Sequence, residues 1–163
     1  MKNRKRGFSL VELLIVLAVI AALIATITPV ALNAIKKAKA TQVAQNLKTL
    51  ASALENAAYV NGADANGIKK PDGGYFSATD DIKLLARDVD ADKYGIAYKV
   101  YTGSEAGKFE VYVRTDESVD PENVAELLKT ATSVTFTSFG DHTIGKEFTS
   151  GTGIQYTVTF YVY

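Results

Sequence analysis

From Leu13 to Ile35 the chain runs 23 residues without a charged side chain, and most of them are Leu, Ile, Val or Ala. Nothing else in the sequence restricts the fold as tightly. A helix rises about 1.5 Å per residue, so this run spans about 35 Å, sufficient for the roughly 30 Å hydrocarbon core of a bilayer. A helix buried in a soluble protein would carry polar residues at helical intervals, and this one has almost none. Lys2, Arg4, Lys5 and Arg6 precede the run, so the positive-inside rule puts the N-terminus in the cytoplasm and the rest of the chain outside. The competing reading is an ordinary secretory signal. Against it, the run exceeds the roughly 7–15 apolar residues usual for such a signal, and no small-x-small cleavage site follows. Leu32-Asn33-Ala34 fails because a large residue stands where a small one is needed.

Charge is segregated. The 163 residues hold 18 basic and 18 acidic side chains, but four basic ones lie in the first seven residues, leaving 14 against 18, a net of −4. A mildly acidic body argues against nucleic acid as the main partner, since phosphate binding needs a basic face. The only route left to DNA is an indirect one, through a local basic patch on an assembled polymer. The chain has no cysteine, which excludes disulfides, thiolate metal sites and cysteine nucleophiles.

Glu12 stands at the mouth of the apolar run, five residues after Gly7. An isolated carboxylate in hydrocarbon costs several kcal/mol, so an acid here needs a partner. One turn onward, Leu13, Ile15 and Val16 offer no cation. Either Glu12 sits wetted at headgroup level, or it awaits a cation from another chain.

The stretch Lys5-Arg6-Gly7-Phe8-Ser9-Leu10-Val11-Glu12-Leu13-Leu14-Ile15-Val16 resembles the class III signal of type IV prepilins, with Ser9 in place of the commoner Thr. The likeness covers roughly residues 5–59 and includes Pro29, where many type IV pilins carry a helix-kinking proline. It implies that a prepilin peptidase cuts between Gly7 and Phe8 and methylates the new Phe8 amine. It also implies that Phe8 of one subunit meets Glu12 of a neighbour in a homopolymer. Pro29 is then either a simple kink or a helix break that lets the helix open and stretch on entering the filament. Within the helix, Pro29 removes one donor and crowds the carbonyl of Ala25, with Thr26 and Thr28 placed to satisfy the freed groups.

Helical periodicity continues past Lys36, Lys37 and Lys39, with apolar residues at Val43, Leu47, Leu50, Leu54 and Ala57 or Ala58. Asn61-Gly62 and Asn66-Gly67 predict an end near Tyr59. Thr79 caps a short predicted helix over Asp80–Arg87, and Asp120-Pro121-Glu122 opens another. Strands are predicted at Tyr94–Tyr101, Phe109–Thr115, Ser133–Phe139 and Ile154–Tyr163. The last has Ile154, Tyr156, Val158, Phe160 and Val162 on its inner face, and Tyr161 and Tyr163 on a face available to a neighbouring copy. The expected fold is α+β: a long N-terminal helix and a four-stranded antiparallel sheet, as in pilins. Its parts are a cleaved leader (1–7), a membrane or filament-core half-helix (8–35) and a globular head (36–163) that includes an amphipathic half-helix (36–59).

No catalytic constellation is visible, and the chain reads as a structural protein, not an enzyme. His142, the single histidine, reads as part of an exposed turn at Gly140-Asp141-His142-Thr143. Asp88, Asp90 and Asp92 alternate like the start of a calcium loop, but Lys93 and Lys99 occupy the positions needing Gly and Glu, which favours a solvated acidic loop. No cofactor is expected.

The leading functional reading is a major pilin of a retractable surface fibre, which in similar systems serves adhesion, twitching motility and DNA uptake. Its partners would be the inner membrane before assembly, the prepilin peptidase, the pilus assembly machinery and minor pilins. The alternative is a pseudopilin of a type II secretion or competence apparatus, forming a short periplasmic rod. A membrane-anchored domain that never polymerises fits Glu12 and the leader poorly. Whatever the fibre touches would lie on the loops around 63–74 and 140–153.

Overall fold

A computed structural model describes residues 7–138 and 142–162. Predicted features at Lys2–Arg6, Phe139, Gly140, Asp141 and Tyr163 lie outside the described residues. The chain divides into two compact units, one ending at Ala38 and the other beginning at Lys39. Helix α1 (Leu10–Asn61, 52 residues) contributes to both.

In the first unit every described residue is exposed, and the helix is long and apolar enough to cross a membrane. The assignment stays helical through Pro29.

In the second unit α1 becomes amphipathic. Ala40, Val43, Ala44, Leu47, Leu50, Ala51, Leu54 and Ala58 are buried at steps of one, three and four residues, one face of a helix. The helix stops because Gly62 takes a φ of +87°, a left-handed turn that only glycine adopts readily, and Lys69 N–H donates to the Gly62 carbonyl at 3.0 Å. A hairpin of two short strands follows, β1 (Ala63–Asp64) and β2 (Gly67–Ile68), turned by Asp64 Oδ1 accepting from the Asn66 amide at 2.8 Å.

The main sheet comprises β3 (Tyr94–Val100), β4 (Lys108–Thr115), β5 (Ala131–Thr135), β6 (His142–Gly145) and β7 (Thr152–Tyr161). All pairings are antiparallel, in the order β5-β7-β4-β3-β6. A helix followed by an antiparallel sheet is an α+β arrangement consistent with a pilin fold, but the sheet has five strands where four were predicted. The addition is β6, placed in the region read as an exposed turn. Its single core residue, Ile144, gives no alternation to detect, and edge pairing to β3 forms it. His142 accordingly lies half-buried on β6, its ring stacked on Tyr98 at 4.7 Å.

Register follows the core. Phe109, Val111 and Val113 of β4 face inward opposite Phe160, Val158 and Tyr156 of β7, and the Phe109 and Phe160 rings stack at 5.6 Å. The predicted inward face of β7 is thereby realised. Helix α2 (Pro121–Leu127) forms as expected, with Asp120 accepting from the Glu122 amide at 3.1 Å and Val124 sealing the core. The opposite sheet face carries a second buried layer of Ala97, Phe136 and Phe148, with Arg114 donating to Gln155 Oε1 at 2.9 Å and to the Thr137 carbonyl at 3.1 Å. Gly95 is required beneath it, since a Cβ there would stand 1.9 Å from the Lys146 carbonyl oxygen.

The predicted helix at Asp80–Arg87 is only a 3-10 turn, Ile82–Leu84, capped by Asp81 and not by Thr79. Asp80 is otherwise engaged. Its carboxylate accepts from Lys70 Nζ at 3.0 Å and from the Ser77 amide at 2.8 Å, and its carbonyl accepts from Gly145 of β6 at 3.1 Å. Burial works to raise the Asp80 pKa, but the hydrogen bonds from Lys70 and Ser77 outweigh it and hold the carboxyl below the usual carboxylate range. A carboxyl depressed in the folded state contributes stability above its unfolded pKa, and that contribution is lost as pH falls through the folded value. Asp80→Asn should therefore lower the melting temperature at neutral pH, with the gap from wild type closing as the carboxyl protonates at strongly acidic pH. Thermal melts of the detergent-solubilised chain across pH check this, and a gap constant with pH would contradict it.

Candidate processing and assembly site

The predicted site residues Gly7, Phe8 and Glu12 come together at the start of α1. Gly7, Phe8 and Ser9 precede the helix, and Leu10 is its first residue. The first helical bond runs from Leu13 N–H to the Ser9 carbonyl at 3.2 Å. Ser9 is thus the N-cap, and its amide donates to Glu12 Oε2 at 2.8 Å. That is the Glu half of a capping box, with the sequence Ser9-Leu10-Val11-Glu12 in the S-x-x-E pattern. Phe8 and Leu13 stand at the two positions of a hydrophobic staple, one before the cap and one in the fourth helical place.

The partner of Glu12 is thus a backbone amide one turn back and not the cation its position suggests. The sequence carries the signal for it, because S-x-x-E ahead of an apolar run is a helix-start pattern. The helix end also favours negative charge electrostatically. Glu12 is therefore solvated within its own chain on one oxygen. Among the described residues, Oε1 has no hydrogen-bond partner.

Phe8 is 84 % exposed, a large aromatic side chain that no described residue covers. A Cβ added to Gly7 would meet nothing within 4 Å among the described residues.

Pro29 lies apart from this cluster, about 25 Å along the helix axis from Glu12. Thr26 Oγ1 donates to the Leu23 carbonyl at 2.9 Å and Thr28 Oγ1 to the Ile24 carbonyl at 2.7 Å. The expectation that they would relieve the carbonyl of Ala25 is not met, because each hydroxyl folds back onto its own preceding turn.

Asp88, Asp90 and Asp92 are exposed, and Asp90 Oδ1 accepts from the Asp92 amide at 3.0 Å in a local turn. Among the described residues no group of three or more His, Asp or Glu side chains is arranged to hold a metal ion.

The prokaryotic N-terminal methylation motif matches residues 2–28. Residues 2–28 therefore carry the class III signal peptide found in type IV pilins and pseudopilins, and this motif supports a pilin-like or pseudopilin reading of the chain. No curated protein and no solved structure matches it.

Loss of the Glu12 carboxylate should loosen the helix start. A cap contact is worth about 0.5–2 kcal/mol, so amide exchange at Ser9 should quicken about two- to thirtyfold in Glu12→Ala. Glu12→Gln, which keeps an acceptor oxygen, should quicken it less. Hydrogen exchange by NMR on the full chain in micelles reads this, and unchanged exchange at Ser9 in the alanine variant would show that the cap is unimportant.

Proposed function

We propose that the chain is the structural subunit of a type IV pilus, cut between Gly7 and Phe8 by a prepilin peptidase, methylated at Phe8 and polymerised into a surface filament. The observation that carries this reading is the carboxylate of Glu12 beside the proposed scissile bond, held on one oxygen alone among the described residues. Cleavage would create an ammonium at Phe8, one residue from the amide that Glu12 already accepts. In a stack of such helices, the Phe8 ammonium of one copy meets Glu12 Oε1 of the next. Partial burial strengthens the pair, because the effective dielectric there falls well below that of water. A copy out of register leaves a charge unpaired among apolar side chains, so the pair selects register more than it adds stability.

The exposed apolar helix of the first unit supports the same reading, because its surface needs either lipid or other helices around it. The bilayer would hold it in the precursor, and neighbouring subunits would hold it in the filament. The role is structural, with no catalysis and no cofactor; calcium at Asp88, Asp90 and Asp92 remains the weaker reading of that loop. Partners are the prepilin peptidase, the pilus assembly machinery and minor pilins, and adhesion, twitching motility and DNA uptake are the activities such fibres serve. A pseudopilin in a type II secretion or competence apparatus would share the motif, Glu12 and the fold, and would place the polymer in the periplasm.

Glu12→Ala and Glu12→Val should insert and be processed normally yet assemble poorly. Leader cleavage is followed by gel mobility, and filaments are counted after shearing from cells that lack the wild-type subunit. Wild-type filament levels in either variant would remove Glu12 from assembly.

A further inference from the structure

The apolar run ends as sharply as it begins. Ile35 is followed by Lys36 and Lys37, both exposed in the first unit, and Lys39 comes two residues later in sequence. The positive-inside rule does not explain them, because they lie on the far side of the span from Lys2, Arg4, Lys5 and Arg6 and oppose the orientation those residues set. Nor do they belong to a generally basic body. From Ala40 to the end the chain holds 11 basic and 17 acidic residues, a net of −6.

We propose that Lys36 and Lys37 bind the headgroups of anionic phospholipids at the outer surface of the bilayer. Depth is the first argument. The 23 uncharged residues reach about 35 Å, so the two lysines emerge just beyond a hydrocarbon core of roughly 30 Å, at the level of the lipid phosphates. Their long apolar stems let the ammonium groups reach that plane while the helix stays inserted. Charge is the second. An acidic body is repelled by an anionic surface, whereas cations beside such a surface are drawn to it, the more weakly the higher the salt. Lysine suits the task, since its ammonium is a compact, mobile donor that meets a phosphate as a point charge. The two side chains leave the helix about 100° apart, so they address lipids on two sides of it.

This inference rests on the membrane-anchored reading of the helix and not on the fibre. Lipid retention and filament yield are therefore separate readouts, and either reading can fail alone. The full chain is reconstituted into vesicles of phosphatidylcholine alone or of equimolar phosphatidylcholine and phosphatidylglycerol. It is then extracted in mild detergent, and the lipids remaining bound are quantified by mass spectrometry. Protease protection in the same vesicles confirms insertion. Wild type should retain phosphatidylglycerol over phosphatidylcholine several-fold, and the preference should fade as salt is raised. The Lys36→Gln/Lys37→Gln variant should insert yet lose the preference, and Lys36→Arg/Lys37→Arg should keep it. An equal preference in the glutamine variant, or its loss in the arginine variant, would overturn the proposal. So would displacement of the lipid by inorganic phosphate at low concentration, which marks a free-anion site. If the glutamine variant keeps its lipids and fails only in filament assembly, the lysines meet carboxylates of another copy and the proposal is wrong.

Discussion

A carboxylate at the mouth of 23 uncharged residues must be solvated by something, and the options available to Glu12 order much of what this chain does. In hydrocarbon an isolated ionised group is heavily penalised, so a sequence that keeps one there has arranged partners for it. The first partner is the helix itself. The Ser9 amide and the positive end of α1 hold one oxygen of Glu12, so the precursor can carry the acid at the membrane edge without a second chain. Among the described residues the other oxygen has no hydrogen-bond partner. One short motif thus sets where the helix starts, keeps Gly7 and Phe8 outside it, and presents the group through which copies would recognise one another.

The second unit solves a different problem with the same helix. Past Lys39 the helix surface is no longer uniformly apolar but carries one buried face, and the sheet supplies the matching surface through Phe109, Val111, Val113, Ile154 and Phe160. The opposite sheet face is also covered. Phe136 and Phe148 fold over Arg114 and Ala97 there, and Gly95 permits the close approach of the Lys146 backbone just past β6. Burial pushes the Arg114 guanidinium pKa down, yet its hydrogen bonds to Gln155 and two backbone carbonyls keep it satisfied in place.

Much of this was legible in the sequence because it rests on periodicity and on strong local signals. The apolar run, the buried helix face, Asp120-Pro121 at the start of α2 and the alternation of β3, β4 and β7 all declare themselves within a few residues. What escaped depends on partners far away in the chain. Strand β6 has one core residue and exists because β3 offers an edge. The helix expected at Asp80–Arg87 gave way because Lys70, Ser77 and Gly145 all claim Asp80. The outer layer over Arg114 joins residues from four segments, which no window of sequence displays. At the candidate site the Ser9 contact is legible in S-x-x-E, a local pattern, whereas any partner of Glu12 from another chain lies outside every window of sequence.

The central claim is that this helix is an anchor made to be released, cut at Gly7 and passed from lipid to polymer. Intact-mass and N-terminal fragment spectra of the subunit taken from sheared surface filaments test it most directly. The account predicts a chain beginning at N-methylated Phe8, with the first seven residues gone. A full-length chain found only in the membrane fraction, with Gly7 still joined to Phe8, would contradict it.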